Sequence, residues 1–446
     1  MSSSQNVAPG ARAFAESAYS GTTTVTTPAA GLPSAPSTLS VTAVSGWVVT
    51  LTWTDNSSNE DGFQIERSAD GAAFVALDST GPNVTTYSDF NAEAATTLHY
   101  RVAAFGATGA SAPAAPKSVT TPALTPVQPA LGVATDTTWR PDDGPYLVTG
   151  PLVVNSATLT IAPGTQVRFA NGAGISLASG GHLVAIGTRE HPIRLTSAHP
   201  LDAARASWSG LSPTGVASGA SVALRHAVVE HAWVGVAGNG AETVYKIQDC
   251  LFRNNAGGLS SYGYIKIPVV RSRFINNDSG VAYYQYGVVG YSSFVRNTSG
   301  IDNSSGPIYG CSFLGNVTAA GLAEDGARYS YVDCESVAGS VGMAVSSGGL
   351  GQQAVTGNTI RRCDRNIVLG NSGSAWERTL SGNNIEDSAL WAFDSIAGVN
   401  VSAVGNWWGT TDAGTIASKI RDFYDDNSRG IVNYTPFATA PFATAP

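Results

Sequence analysis

One apolar position recurs along most of this chain at a nearly constant interval, and an interval of that size admits few folds. Val229, Phe252, Phe274, Phe294, Phe313, Cys334, Ile360, Ile385 and Trp408 fall into line at spacings of 23, 22, 20, 19, 21, 26, 25 and 23 residues. Seven residues after most of these anchors comes a second apolar side chain: Val236, Leu259, Val281, Ile301, Val341 and Ile367, with Ala320 after Phe313 and Ala392 after Ile385. A propeller blade would need roughly double the period, and the L-x-x-L-x-L signature of leucine-rich repeats is absent. What remains is a solenoid in which each coil adds one layer to a shared core.

Asn follows four successive anchors by three residues, at Asn255, Asn277, Asn297 and Asn316. Asn tolerates the left-handed backbone that a sharp corner needs. Amides stacked at one offset can also bond from coil to coil, as ladders do in cross-β structures. Three later coils carry Gly-Asn before the anchor: Gly357-Asn358, Gly382-Asn383 and Gly405-Asn406. The sequons at Asn297 and Asn316 coincide with the ladder and read as turn composition, because a glycan there would break the stack. The pattern predicts a parallel β-helix of ten or so coils, about 4.8 Å apart, in a rod on the order of 50 Å.

Composition agrees with an all-β chain rich in turns. Only 13% of the 446 residues are charged, while 50 are Gly and 22 are Pro; an ordinary domain carries about 25% charge. With 24 Lys+Arg against 32 Asp+Glu, no nucleic-acid partner is expected. No run of about 18 apolar residues exists to span a membrane. Four Cys without a C-x-x-C pair suggest neither a disulfide framework nor zinc. Cys250 and Cys311 share an offset but lie three coils apart, too far for a bond. All four are expected as small buried residues. The first residues lack the basic and apolar regions of a signal peptide, which suggests a mature form with an added Met or export by another route.

The chain divides by pattern. Residues 1–35 form a flexible or extended arm of Ser, Thr, Ala, Pro and Gly. Residues 36–122 show period-2 runs (Val49, Leu51, Trp53; Leu98, Tyr100, Val102, Ala104) that predict about seven antiparallel strands around Trp53. Residues 123–134 read as a linker, 135–435 as the β-helix with its cap, and 436–446 as a low-complexity tail in which Pro436–Ala440 repeats as Pro441–Ala445. Trp139 and the strand around Leu147 open the first coil. Ile416–Tyr424 reads as a helix with Ile416, Ile420 and Phe423 on one face, covering the last coil with Trp407 and Trp408.

Two stretches match known families. LTWTDNSSNEDGFQIERSADG, followed by TTYSDFNAEAATTLHYRV, closely resembles bacterial fibronectin type III domains, which implies a spacer or adhesive sandwich. Leu98 departs from that pattern, standing where the family carries the Tyr of its tyrosine corner, and implies a looser corner. ATLTIAPGTQVRFANGAGISLASGGHLVAIGTREHPIRLTS and GNWWGTTDAGTIASKIRDFYDDNSRGIVNYTPF resemble the coils and terminal segment of bacterial right-handed β-helix proteins of the surface or secreted type. The resemblance implies a fold that hosts lyases, hydrolases, adhesins and passive shafts alike. The expected fold class is all-β: a fibronectin type III sandwich, then a right-handed parallel β-helix with a short C-terminal capping helix.

Chemistry is sparse. A glycan hydrolase needs two carboxylates about 5–10 Å apart. A lyase needs a base and charge neutralisation beside it. Asp249, Asp333, Glu324-Asp325, Asp364 and Glu386-Asp387 share no outward offset in adjacent coils. No catalytic residue, metal or other cofactor is therefore expected. His226 and His231 are expected as lone surface residues, and Asp422, Asp425 and Asp426 as a solvated loop.

One constellation stands out. Tyr262 and Tyr264 follow Phe252 by ten and twelve residues, and Tyr284 and Tyr286 follow Phe274 by the same offsets. The four rings should form an outward two-by-two patch. It could hold a sugar, pack against a domain or protomer, or serve as a Tyr ladder. The expected function is that of a non-enzymatic extracellular or cell-surface protein that adheres to, or binds, a glycan or protein partner. Alternatives are a structural subunit of a virion appendage, fibre or filament, self-assembling through the N-terminal arm, and a cryptic polysaccharide lyase or hydrolase.

Overall fold

The computed structural model describes residues 31–44, 46, 48–89, 92–106, 108–122, 128–200, 203–213, 219–238, 244–261, 267–282, 287–304, 306–322, 326–345, 354–370, 379–396, 398 and 400–443. The chain forms two compact units, residues 1–123 and 124–446.

The first unit is an antiparallel β-sandwich. Its strands are β1 (Ser37–Ala43), β2 (Val49–Thr54), β3 (Gly62–Ser68), β4 (Val75–Thr80), β5 (Thr86–Asp89), β6 (Thr97–Gly106), β7 (Gly109–Ala110) and β8 (Lys117–Thr120). One sheet runs β1-β2-β5, and the other runs β4-β3-β6, with β7 and β8 both on β6. Period-2 alternation puts Leu51, Trp53, Phe63, Ile65, Leu98 and Val102 into the space between the sheets. Trp53 tilts onto Phe63 at 5.4 Å. Leu98 is buried, and the same strand carries a hydroxyl anchor at Tyr100, which donates to Asp89 at 2.7 Å. The end of the expected arm is tied to this unit: Gly31 O accepts from Asn59 at 2.9 Å, and Ala35 O accepts from Asn56 at 2.9 Å.

The second unit is a parallel β-solenoid with three faces. Its first face starts at Thr137–Trp139, its second at Tyr146–Val148 and its third at Gly132–Val133, with 11, 11 and 13 strands respectively among the described residues. Trp139 and Leu147 do begin their faces, but Gly132–Val133 already pairs with Val153–Val154. Strand pairing therefore starts inside the segment expected as a linker.

The anchors stack as the repeat predicts. Phe252, Phe274, Phe294 and Phe313 pair in register. Their rings lie parallel at 5.0, 4.9 and 4.8 Å. Glycine on the third face makes room for them. A Cβ on Gly280 would lie 2.9 Å from Phe294 Cδ1 and 2.5 Å from Gly300 O. The column Gly258-Gly280-Gly300 is thus a packing requirement of the rings.

The Asn ladder forms, with one correction. The left-handed residues are those just before it, Asn254, Asn276, Arg296 and Gly315. The ladder Asn residues are fully buried, and their side chains bond down the stack. A second ladder of the same design, Asn358-Asn383-Asn406, follows the positive-φ glycines Gly357, Gly382 and Gly405 at the other corner.

Three further expectations need correction. In the sixth repeat the anchor is Val332, in register with Phe313 and Ile360, and not Cys334. Its third-face partner is correspondingly Met343 and not Val341, and one coil before the end it is Phe393 and not Ala392. Cys334 therefore sits at a corner, one coil from Cys363, and the two form a disulfide with Cα atoms 4.9 Å apart. Cys250 and Cys311 are free and buried as expected. The helix, α1, spans only Ala413–Ser418, capped by Asp412, which accepts from the Thr415 N–H at 2.7 Å. Ile420 has left the helix to pair with Phe393, where its backbone closes the open edge of the third face, and Phe423 is exposed.

The tail is docked. Gly405 N–H donates to Pro436 O at 2.7 Å, and Ala438 N–H donates to Asn406 O at 2.9 Å. Asn384 bonds the Phe442 backbone twice, at 2.8 and 2.9 Å. Tyr434 meets Trp408 edge-on.

Candidate functional site

Tyr262, Tyr264, Tyr284 and Tyr286 lie outside the described residues, as do Glu324-Asp325 and residues 1–30 of the arm. Among the described residues, a site does form on the outer surface of the third face.

Trp233 stands there 63% exposed, although its strand, Ala232–Gly238, is otherwise mostly buried. Next to it is a depression of about 230 Å³ lined by Ser260, Asp278, Ser279 and Asp302. The Oγ atoms of Ser260 and Ser279 are buried, and neither has a hydrogen-bond partner among the described residues. Buried hydroxyls are normally satisfied, so this pair is open to a ligand or to water. Asp302 also lines a second depression of about 250 Å³. The floor continues through Gly321, Ala344 and Val368, which pair in register across three coils. Small side chains at consecutive outward positions make this groove. At its rim, Arg205 forms an ion pair with Asp278 and donates to Asn276 Oδ1 at 2.9 Å.

Several of the other described acids of the solenoid are committed elsewhere. Glu230 is fully buried between Arg194, with which it pairs, and Arg253, 2.7 Å away. Burial alone would push its carboxyl up; the two guanidiniums outweigh that and hold it at about 2. Its neighbour His231 is buried and not on the surface, as the sequence suggests, and its Nδ1 lies 3.3 Å from Thr196 Oγ1. Burial lowers its pKa, against the pull of Glu230. The signal that could reveal this cluster is the Glu-His pair closing a strand one coil from Arg194 and Arg253.

Asp249 lies between Arg225 at 3.3 Å and Arg271 at 2.8 Å, and the Arg271 hydrogen bond leads in holding it at about 2. Asp333 takes Arg361 and Arg362. Asp364 accepts from the Gly339 N–H at 2.6 Å. In the cap, Asp422 accepts from the N–H groups of Tyr424 and Val432, and Asp426 pairs with Arg429, so this loop is knitted rather than merely solvated. Among the described residues, no group of three His, Cys, Asp or Glu is placed to hold a metal. No helix among them is long and apolar enough to cross a membrane.

A family model described as a pectate-lyase-like beta helix domain matches residues 132–241. The solenoid has that fold. No curated protein matches the chain. Solved structures match over the sandwich. Titin domains are 27% identical over 20% of this chain and 32% of theirs, with a TM-score of 0.19. A fibronectin-type-III-like protein from Clostridium thermocellum is 23% identical over 21% of this chain and 99% of its own, with a TM-score of 0.19. The sixth fibronectin type III domain of human fibronectin type III domain containing protein 3 is 19% identical over 23% and 97%, with a TM-score of 0.20. The chain spans about a third of the length of the titin fragment.

Proposed function

We propose that this is an extracellular or cell-surface protein whose solenoid binds a glycan in the groove of its third face without cleaving it. The observation that carries the reading is the exposed indole of Trp233 beside the buried hydroxyls of Ser260 and Ser279, which have no hydrogen-bond partner among the described residues. An aromatic face takes the C–H side of a sugar ring, and convergent hydroxyls and carboxylates take its hydroxyl groups. Binding rather than cleavage fits the acids. Glu230 and Asp249 are pinned near 2 by arginines, far from the raised pKa that a general acid needs, and Asp278 is paired with Arg205. The disulfide between Cys334 and Cys363 supports an oxidising compartment outside the cell.

The test is retention on a panel of insoluble polysaccharides, with an assay of released reducing ends and unsaturated uronates. Trp233→Ala should weaken retention about tenfold, the loss of one aromatic contact. Unchanged retention removes the groove from the account. Released product makes the protein an enzyme.

A further inference from the structure

A second aromatic feature lies on a different edge of the solenoid, at the corner between the first and second faces. Three consecutive coils place Gly290-Tyr291, Tyr309-Gly310 and Arg328-Tyr329 there, and Thr356-Gly357 follows in the next. Tyr291, Tyr309 and Tyr329 are 63%, 39% and 50% exposed. Their ring centroids are 5.7 and 5.4 Å apart, and neighbouring rings are turned by 71° and 69°.

The rings are held in place from below. Tyr291 and Tyr329 have φ of 51° and 50°, and their N–H groups are tied to the next coil at 2.9 and 3.1 Å. A Cβ on Gly310 would come within 3.0 Å of the Tyr291 ring, and one on Gly357 within 2.7 Å of the Tyr329 ring. Each of these rings therefore presses on a glycine of the adjacent coil. A platform fixed in this way loses little side-chain entropy when it binds.

We propose that Tyr291, Tyr309 and Tyr329 form a binding strip for one extended chain of neutral, β-linked hexopyranoses lying parallel to the stacking direction, one sugar per coil. The strip is a single file of rings. A stable protein interface needs about 800 Å² from each partner, whereas a glycan chain is itself one ring wide. The advance of such a chain per sugar is close to the spacing between coils. Successive sugars in a β-linked chain are turned relative to one another, and so are successive rings here. The exposed Arg328, in register between Tyr309 and Thr356, adds donors for ring hydroxyls. This strip shares no residue with the groove at Trp233.

The experiment uses the full chain, with soluble cellohexaose and mannohexaose as probes in calorimetric titrations. The triple variant Tyr291→Ala/Tyr309→Ala/Tyr329→Ala should bind at least about tenfold more weakly. The Tyr→Phe triple variant, which keeps the rings, should recover most of that loss, and an unchanged denaturation midpoint shows that both fold. Loss in the alanine triple with Trp233→Ala unaffected upholds the strip and removes the groove. Loss only in Trp233→Ala overturns the strip and leaves the groove reading standing. No binding of any probe overturns it, as does a change of oligomeric state in the alanine triple with glycan binding intact, which makes the row a protein interface.

Discussion

Nδ2 of Asn277 donates to Oδ1 of Asn297 across 3.0 Å, and the Asn277 backbone N–H donates to the same oxygen across 2.9 Å. Nδ2 of Asn277 also reaches back to Phe252 O at 3.1 Å. One side chain thus bonds three consecutive coils at a corner where the backbone has no strand partner. The arrangement repeats from Asn255 through Asn316.

Asn297→Ala should strand two buried donors of Asn277 at once. The cost expected is about 2–4 kcal/mol, read from the urea midpoint. Thr298→Ala, next to it but exposed, should change stability by less than about 0.5 kcal/mol. Equal effects would mean that the ladder contributes nothing beyond its shape. The same bonding bars a glycan from the Asn297 and Asn316 sequons in the folded chain.

The fold was legible because the repeat is a backbone requirement. Every coil must return to the same register, so Phe252, Phe274, Phe294 and Phe313 recur where the stack needs them. Where two coils differ in length the spacing misleads: it puts Cys334 in the anchor column in place of Val332 and so hides the corner position of Cys334 and its bond to Cys363. The helix end was misplaced because a 3.6-residue period cannot reveal that Ile420 gains a strand partner in Phe393. The groove was illegible because Ser260 and Ser279 look like ordinary turn residues until the structure shows their hydroxyls buried and without a partner among the described residues. The low charge has a physical counterpart here. The charges that remain are sorted along the stack, acid between arginines: Arg225-Asp249-Arg271 and Arg194-Glu230-Arg253.

Glu230→Gln should cost about 3–5 kcal/mol, because it leaves Arg194 buried without its counter-charge. Acid should destabilise the chain in two steps. His231 has a lowered pKa when folded, so its contribution is present above its ordinary 6.5 and is lost as pH falls below that value. Glu230 contributes above its ordinary 4.5, and that contribution is lost as pH falls through about 2. In urea melts across pH, His231→Gln should flatten the first step and leave the second. A first step unchanged in the variant would assign it to another group.

Thiol counting should find no reactive thiol in the native protein, two after denaturation without reductant, and four after reduction. The burial that pushes Cys250 up to about 12 and Cys311 up to about 11 keeps both unreactive. Cys334→Ser/Cys363→Ser should lower stability by about 2–4 kcal/mol, since the bond closes a loop. Four thiols in the unreduced, denatured chain would contradict the pairing.

Removing residues 434–446 should uncover Trp408 and free the backbone groups at Gly405 and Asn406 that the tail satisfies. An open solenoid end is an edge for other chains. The shortened protein should melt earlier and self-associate, as light scattering would show. A monodisperse monomer with an unchanged midpoint would mean that the tail does not cap the stack.

One measurement tests glycan binding without cleavage most directly: incubation of the full chain with a panel of insoluble polysaccharides, scoring retention and soluble products together. Retention of the native protein, weakened in Trp233→Ala, with no reducing ends or unsaturated uronates released, is the predicted result. Release of product from any polysaccharide, or retention that Trp233→Ala leaves unchanged, would contradict that reading.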